Sequence, residues 1–487
     1  MAATLPGGIL TAAIIALFLC RTTRTVTCEL FPMTLSLERA IPLNNKMKLS
    51  ELKARDSARH RRLIQSSNDT GFTLEGTYDP YGAGIYYTKV QLGSPPRDFH
   101  LQVDTGSDPL WVTCSSCSGC PNKTELQIEL SSFDPGKSST HTPVTCTDSI
   151  CNSEYQSPEA MCSKNNRCTY TFQYADDSAS AGYYVTDLIH FATPVSNGSS
   201  PVIFGCSTEL TGNLATNNSR GVDGIIGFGR GDTSVISQLS SKRLVPKVFS
   251  HCLRGDDQGG GTLVLGEIVD PHIVFTPLVP SRTHYNLDLK GIEVKGQNLE
   301  IDSSVLQALE NQGTVVDSGT TMAYLPDVVY DSFLNAISAA TPVESLTGTY
   351  VADGYSQCFW AKKSISEVFP NVSLNFAGGA SMVLKPKDYL TDGEKGWCIG
   401  IQKMEGSQAF TILGDIVLKD RIIVYDLAGQ RIGWADYDCS RPFNVSGKLN
   451  RAPGSRRDAS RGSPREAGTL AFFLSLICIL LFFSICA

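Results

Sequence analysis

The chain has 487 residues, 41% of them hydrophobic and 18% charged, which is the composition of an ordered globular protein long enough for two or more lobes. Charge is unevenly spread: residues 1–77 hold 10 basic and 6 acidic side chains, residues 444–487 hold 6 and 2, and the middle, 78–443, holds 25 and 40, a net of −15. So acidic a body is a poor partner for nucleic acid, and it sheds self-repulsion where carboxylates protonate.

The N-terminus, MAATLPGGILTAAIIALFLCRTTRTVTC, has an apolar run from about Gly8 to Cys20. That run is too short to span a bilayer and suits the h-region of a secretory signal peptide, read here as residues 1–28. A basic, helix-forming stretch at about 46–64, KMKLSELKARDSARHRRLI, precedes the acidic body, so residues 29–75 read as a propeptide. Six N-x-S/T sequons, at Asn68, Asn122, Asn197, Asn217, Asn371 and Asn444, fit passage through the secretory pathway, where cysteines become disulfides. Of 16 cysteines, Cys20 and Cys28 fall in or beside the leader and Cys478 and Cys486 in the tail, which leaves an even 12.

From Tyr78 on, short runs rich in Val, Ile, Tyr and Thr alternate with Gly, Pro, Asn and Asp clusters, as in GIYYTKVQLGSPPRDFHLQVD, GYYVTDLIHF and RIIVYDLAGQRIGWADY. These are strand and turn signals. Helical stretches are few, TSVISQLSSK and DVVYDSFLNAISAA among them, and the body is predicted to be mainly β. Cys114, Cys117 and Cys120 in LWVTCSSCSGCP have a spacing seen in iron–sulfur and zinc sites, but the fourth ligand is absent and the compartment is oxidising. They read as disulfide staples.

One plan occurs twice. QVDTGSDPLWV around Asp104 is echoed by VVDSGTTMAYL around Asp317, and each is followed by two apolar residues and a glycine: Ile225-Ile226-Gly227 and Ile412-Leu413-Gly414. Two copies imply two homologous β-lobes. A glycine two residues after each Asp permits a tight turn at a strand end, and the hydroxyls nearby can hold the carboxylate plane. If the lobes face each other, Asp104 and Asp317 meet, share one proton, and offer an acid and a base to a bound water. No metal or other cofactor is called for. Other sites are poorly supported: there is no H-E-x-x-H, no G-x-S-x-G, and the GKSS at Gly136 has Ser131 where a P-loop needs its first glycine. The tripeptides Arg230-Gly231-Asp232 and Arg254-Gly255-Asp256 carry little weight alone.

These motifs resemble the pepsin-like aspartic endopeptidases, in particular the plant nepenthesin- and nucellin-like group, over about residues 78–443. The resemblance implies a bilobal double β-barrel with the active cleft between two lobes, 76–277 and 278–443. It implies Asp104 and Asp317 as the catalytic pair, Ser107 and Thr320 orienting their outer oxygens, and Gly106 and Gly319 beside the shared proton. It also implies Tyr174 in QYADDSASAG as the tyrosine of a flap over the substrate, and Trp111 as its support. Asp177 stands where the plant group has a flap glycine, and Asp108 adds a carboxylate after the first loop. The group carries a cysteine-rich insertion where seven cysteines crowd between 114 and 168. Expected pairs are Cys146–Cys168, Cys151–Cys162 and Cys358–Cys398, with Cys206 a candidate partner for the odd cysteine. The implied activity is peptide-bond hydrolysis on polypeptide substrates at acidic pH by a monomer. Plant xylanase inhibitors share the plan but have degraded catalytic loops, whereas both loops are intact here.

At the C-terminus, GKLNRAPGSRRDASRGSPREAG reads as a polar stalk, and Leu470–Ala487 is uncharged, with the basic residues lying before it. Small residues, a polar spacer and an apolar tail make the pattern of a GPI-attachment signal. The expected anchor residue is Ser460, with Asp458 or Gly462 close alternatives, so 444–460 is the stalk and 461–487 the part removed on maturation, leaving the protein on the outer cell surface.

Overall fold

The computed structural model describes Met33–Arg39 and, with short internal stretches omitted, residues 86–446. The expected signal peptide, most of the expected propeptide and residues 447–487 lie outside the described residues.

The strand Tyr86–Leu92 alternates buried and outward-facing residues, the pattern of a strand with one face on a core. Its neighbour Arg97–Asp104 starts the same way but is buried at each of its last four positions, where it runs into the interior and carries Gln102 and Asp104 with it. Both belong to a fifteen-stranded sheet. Within it Arg97–Asp104 pairs in parallel with Gly224–Gly227, which pairs antiparallel with Trp111–Ser118. The second half repeats this arrangement: Thr314–Val316 runs parallel to Thr411–Leu413, which meets Ala323–Pro326 antiparallel. The chain is therefore mainly β with two lobes built on one plan.

The lobes share a sheet. Val248–Leu253 pairs with Gly261–Leu265 on one side and with Arg421–Asp426 on the other, so the last strands of the second lobe return to the first. Met33–Arg39 lies between Gly261–Leu265 and Tyr86–Leu92. Part of the segment read as a propeptide is thus a strand of this sheet. At the other end the expected stalk begins too early, because Asn444–Ser446 forms a strand with Glu267–Val269. Both expected helices form. Val235–Ser241 starts at Ser234, whose hydroxyl accepts the Ser237 N–H, and Asp327–Ala340 buries Val329, Tyr330, Phe333 and Ile337 along one face.

All twelve cysteines of the body pair. Cys358–Cys398 forms as expected, joining facing positions of two strands. The other two expected pairs do not: the bridges are Cys146–Cys162 and Cys151–Cys168, crossed rather than nested. The reason is burial. Cys168 and Cys151 point into the aromatic cluster of Trp111, Tyr170 and Phe172, while Cys162 is exposed on the hairpin and meets the half-buried Cys146. Cys114 pairs with Cys206, and Cys117 with Cys120. The three cysteines with ligand-like spacing are therefore all taken up as disulfides.

Cys252–Cys439 ties the end of the body to the shared sheet across 187 residues. Closing so long a loop removes at most about 5 kcal/mol of unfolded-state entropy, against about 1–2 kcal/mol for the three-residue separation of Cys117–Cys120. Replacing Cys252 and Cys439 together by Ala should lower Tm in calorimetry far more than replacing Cys117 and Cys120 together. Equal shifts would show that loop length does not govern these bridges.

Candidate active site

Each Asp loop begins at the end of a strand held by a parallel partner. Asp104 stands opposite Gly227, and its carbonyl accepts the Phe228 N–H at 2.8 Å. Asp317 follows Val316, which stands opposite Leu413, and its own N–H donates to the Leu413 carbonyl at 3.0 Å. The apolar-apolar-Gly triplets of the sequence are thus these partner strands. Their glycines are required by close approach: a Cβ on Gly227 would lie 2.3 Å from the Asp108 backbone, and one on Gly414 would lie 2.1 Å from the Met322 carbonyl oxygen.

The two carboxylates are fully buried and have equivalent surroundings. Gly106 N–H donates to Asp104 Oδ1 at 2.8 Å and Ser107 Oγ to Oδ2 at 2.5 Å. Gly319 N–H donates to Asp317 Oδ1 at 3.0 Å and Thr320 Oγ1 to Oδ2 at 2.6 Å. Each predicted supporting residue therefore touches its aspartate, by backbone for the glycines and by hydroxyl for Ser107 and Thr320. Paired donors of this kind fix the carboxylate plane.

The two loops interlock through residues that the sequence reading passed over. Thr105 N–H donates to Ser318 Oγ at 3.3 Å, and Ser318 N–H donates to Thr105 Oγ1 at 2.9 Å. Each hydroxyl then donates across the boundary, Thr105 to the Val316 carbonyl and Ser318 to the Val103 carbonyl, both at 3.3 Å. A signal was present: in both D-T-G-S and D-S-G-T a hydroxyl residue follows the Asp directly. Beneath the loops, on the shared sheet, Phe249 stacks on Tyr425 with ring centroids 4.4 Å apart, and the Tyr285 hydroxyl donates to the Phe228 carbonyl at 2.7 Å. No local pattern announces these residues.

Tyr174 lies outside the described residues, as does Asp177. Gln173 and Ala179 face each other where the strands Cys168–Gln173 and Ala179–Ala192 end their pairing. Trp111 is fully buried among Tyr170, Tyr184 and Ile225 on that same side of the first lobe. The Asp108 carboxylate is taken up by the Gly229–Gly231 loop. It accepts the Gly231 N–H at 2.7 Å and occupies the space where side chains at Gly229 and Gly231 would sit. Arg230, from the first adhesion-like tripeptide, is tied to the carbonyls of Arg282 and His284 and to Gln430. Burial lowers its pKa, partly offset by Tyr285 and then Asp108. A separate cavity of about 570 Å³ is lined by Lys385, Lys387, Asp420, Arg421 and Asp436 among others. Its charges pair with one another, Lys385 with Asp436, Lys387 with Asp420 and the buried Arg421 with Asp388.

Two lobes of one plan, each with a buried, hydroxyl-braced aspartate in a loop bonded to the other lobe's loop, are the architecture of an aspartic-protease-type fold. Comparison with known proteins agrees. Patterns described as xylanase inhibitor N-terminal and C-terminal match residues 86–267 and 284–436. The chain is 38% identical over 410 residues to aspartic proteinase 39 of Arabidopsis thaliana, covering 82% of this chain and 83% of that one. It is 30% identical over 407 residues to aspartic proteinase nepenthesin-2 of Nepenthes gracilis, covering 80% and 86%. Among solved structures, basic 7S globulin from soybean superposes with a TM-score of 0.59 at 18% identity, covering 87% of this chain and all of that one, a likeness of fold. The chain belongs to the plant pepsin-like aspartic protease family.

His251, fully buried on the shared sheet, has its pKa held down to about 3 by desolvation. The unfolded chain, with an ordinary histidine, binds a proton that the native state refuses between pH ~6.5 and the native value, so stability falls as pH drops through that window. Replacing His251 by Leu should make unfolding free energy, measured in urea at about pH 7 and pH 4, less sensitive to acid. An unchanged acid sensitivity would remove His251 from the balance.

Proposed function

We propose that the protein is an aspartic endopeptidase in which Asp104 and Asp317 share a proton and activate water against a peptide carbonyl at acidic pH. The observation that carries this reading is the completeness of both loops: each aspartate has its glycine N–H and its hydroxyl donor at hydrogen-bond distance. Relatives named aspartic proteinases support it. Two neighbouring buried carboxylates cannot both ionise easily, so one keeps its proton. The ionised member draws a proton from water as it attacks the carbonyl, while the protonated member donates to the carbonyl oxygen. A proton then passes to the leaving amine. The pair titrates in macroscopic steps, which confines activity to acid and mildly acidic solution. By resemblance, Tyr174 closes over the substrate and Trp111 supports it.

The same family patterns bear the name of xylanase inhibitors, so a role in binding without cleavage is the competing outcome. Purified protein should cleave a denatured protein substrate at about pH 4–6 in a pepstatin-sensitive manner, and Asp104→Asn or Asp317→Asn should cost roughly 10²–10⁴-fold in kcat. Wild type and Asp104→Asn behaving alike would leave only the binding role.

We also propose that the protein travels the secretory pathway and is held at the outer cell surface by a GPI anchor at Ser460, Asp458 or Gly462. Support comes from the small residues, polar spacer and apolar tail of residues 458–487. Phosphatidylinositol-specific phospholipase should release the protein from intact cells. Mass spectrometry that finds Leu470–Ala487 in the mature protein would overturn this.

A further inference from the structure

The two lobes part from their common plan two residues before each aspartate, where the first has Gln102 and the second Val315. The positions are equivalent in register: Gln102 stands opposite Ile225 and Val315 opposite Ile412, each on the parallel partner strand. Val315 packs among Met322, Tyr324, Met404 and Ile412. Gln102 is also fully buried, and as the residue two before Asp104 on one strand it shares that residue's face. The plan accepts valine at this point, so the fold alone does not call for an amide.

Gln102 Nε2 donates across the lobe boundary to the Gly319 carbonyl at 3.5 Å. That carbonyl belongs to the peptide unit between the two residues that hold Asp317: Gly319 gives its N–H to Asp317 Oδ1, and Thr320 gives its hydroxyl to Oδ2. The other end of the same unit, Thr320 N–H, donates to the Asp317 carbonyl at 3.2 Å. A carbonyl oxygen can only accept, so the NH2 end of the amide must face it and Oε1 is turned away. Oε1 is buried and has no hydrogen-bond partner among the described residues. A buried amide with one end unpaired is destabilising relative to an apolar side chain of similar size. Residues that weaken the fold in this way gather at functional sites. Valine has no donor, so Val315 cannot return the bond to the first loop, and the grip runs one way.

We propose that Gln102 is a positioning residue for the reaction: its amide, reaching from the first lobe, holds the Gly319–Thr320 peptide and so orients the Asp317 carboxylate against Asp104. This rests on the endopeptidase reading above. Gln102 acts on Asp317 through the backbone of the second loop. One long hydrogen bond adds little to the cohesion of the lobes, but it bears on the angle at which the peptide, and with it both donors of Asp317, is presented. Catalysis by two groups that must act on one water tolerates little displacement, so losing the amide is felt in kcat, while the stability of the fold is kept or improved.

The test uses the full mature protein with active sites titrated by pepstatin, so that kcat refers to folded molecules only. Gln102→Met, which keeps the length of the side chain and loses the donor, should lower kcat roughly tenfold, leave KM within about twofold and leave Tm equal or higher. A purely structural role would lower Tm and leave kcat per titrated site unchanged. Gln102→Glu supplies the rescue, because its carboxylic acid, kept protonated in acid solution, has an O–H for the Gly319 carbonyl. It should bring kcat to within about threefold of wild type at about pH 3, and the gain over Gln102→Met should fade as pH rises and the acid ionises. Wild-type kcat in Gln102→Met overturns the proposal, and so does a loss confined to KM, which would mark a substrate contact. A Gln102→Glu protein as slow as Gln102→Met at the acid end overturns it as well, since the donor would then be irrelevant. An inactive wild type would instead sink the endopeptidase reading from which the proposal starts.

Discussion

The exchange of hydrogen bonds between Thr105 and Ser318 is the contact on which the rest of the molecule depends. It joins residues 213 positions apart, at the meeting of two lobes, with both hydroxyls out of water. Each aspartate finds its own donors within three residues, and local turns suffice for that. Local turns cannot set the distance between two carboxylates that belong to different lobes. Only a contact across the boundary can, and a buried polar contact is demanding because any member left unpaired costs its full desolvation.

Much of the surrounding architecture can be read as support for that contact. Parallel pairing with Gly224–Gly227 and with Thr411–Leu413 stops each Asp loop at a defined height. Glycines at 227 and 414 let the partner strand come close enough to brace the loop backbone. The shared sheet, in which Arg421–Asp426 pairs with Val248–Leu253, passes beneath both loops and brings Phe249, Tyr285 and Tyr425 into one aromatic cluster. Aromatic packing of this kind adds stiffness as well as buried area. The Cys252–Cys439 bridge fastens the end of the body to the same sheet.

The family includes relatives named as proteinases and patterns named for inhibitors, so the fold does not decide between cleavage and binding. What separates the two is chemistry within a few ångströms of Asp104 and Asp317. Here the donors are present on both sides, and the neighbouring Asp108, which looked in the sequence like a third carboxylate beside the pair, is occupied by the Gly231 N–H instead. The glycine-rich GFGRGD stretch thus makes room for that side chain, and its Arg230 is spent on holding the start of the second lobe.

The sequence by itself determined the β character, the two-lobe plan, the two Asp loops and their immediate donors. These are local or repeated features: a strand shows its alternation within a few residues, and a turn that must cradle a carboxylate needs its glycine and hydroxyl at fixed offsets. Duplication then raised D-T-G-S and D-S-G-T above chance. Tertiary structure alone decided how Cys146, Cys151, Cys162 and Cys168 pair, since Cys151 and Cys168 are joined by their common burial while Cys146 and Cys162 meet at the surface. It also decided that Met33–Arg39 and Asn444–Ser446, read as propeptide and stalk, take places in sheets, because strand partners are chosen across the fold rather than along the chain. Tyr425 and His251 remained invisible for the same reason. Each looks like an ordinary strand residue, and only the return of the last strands to the first lobe sets one against the other.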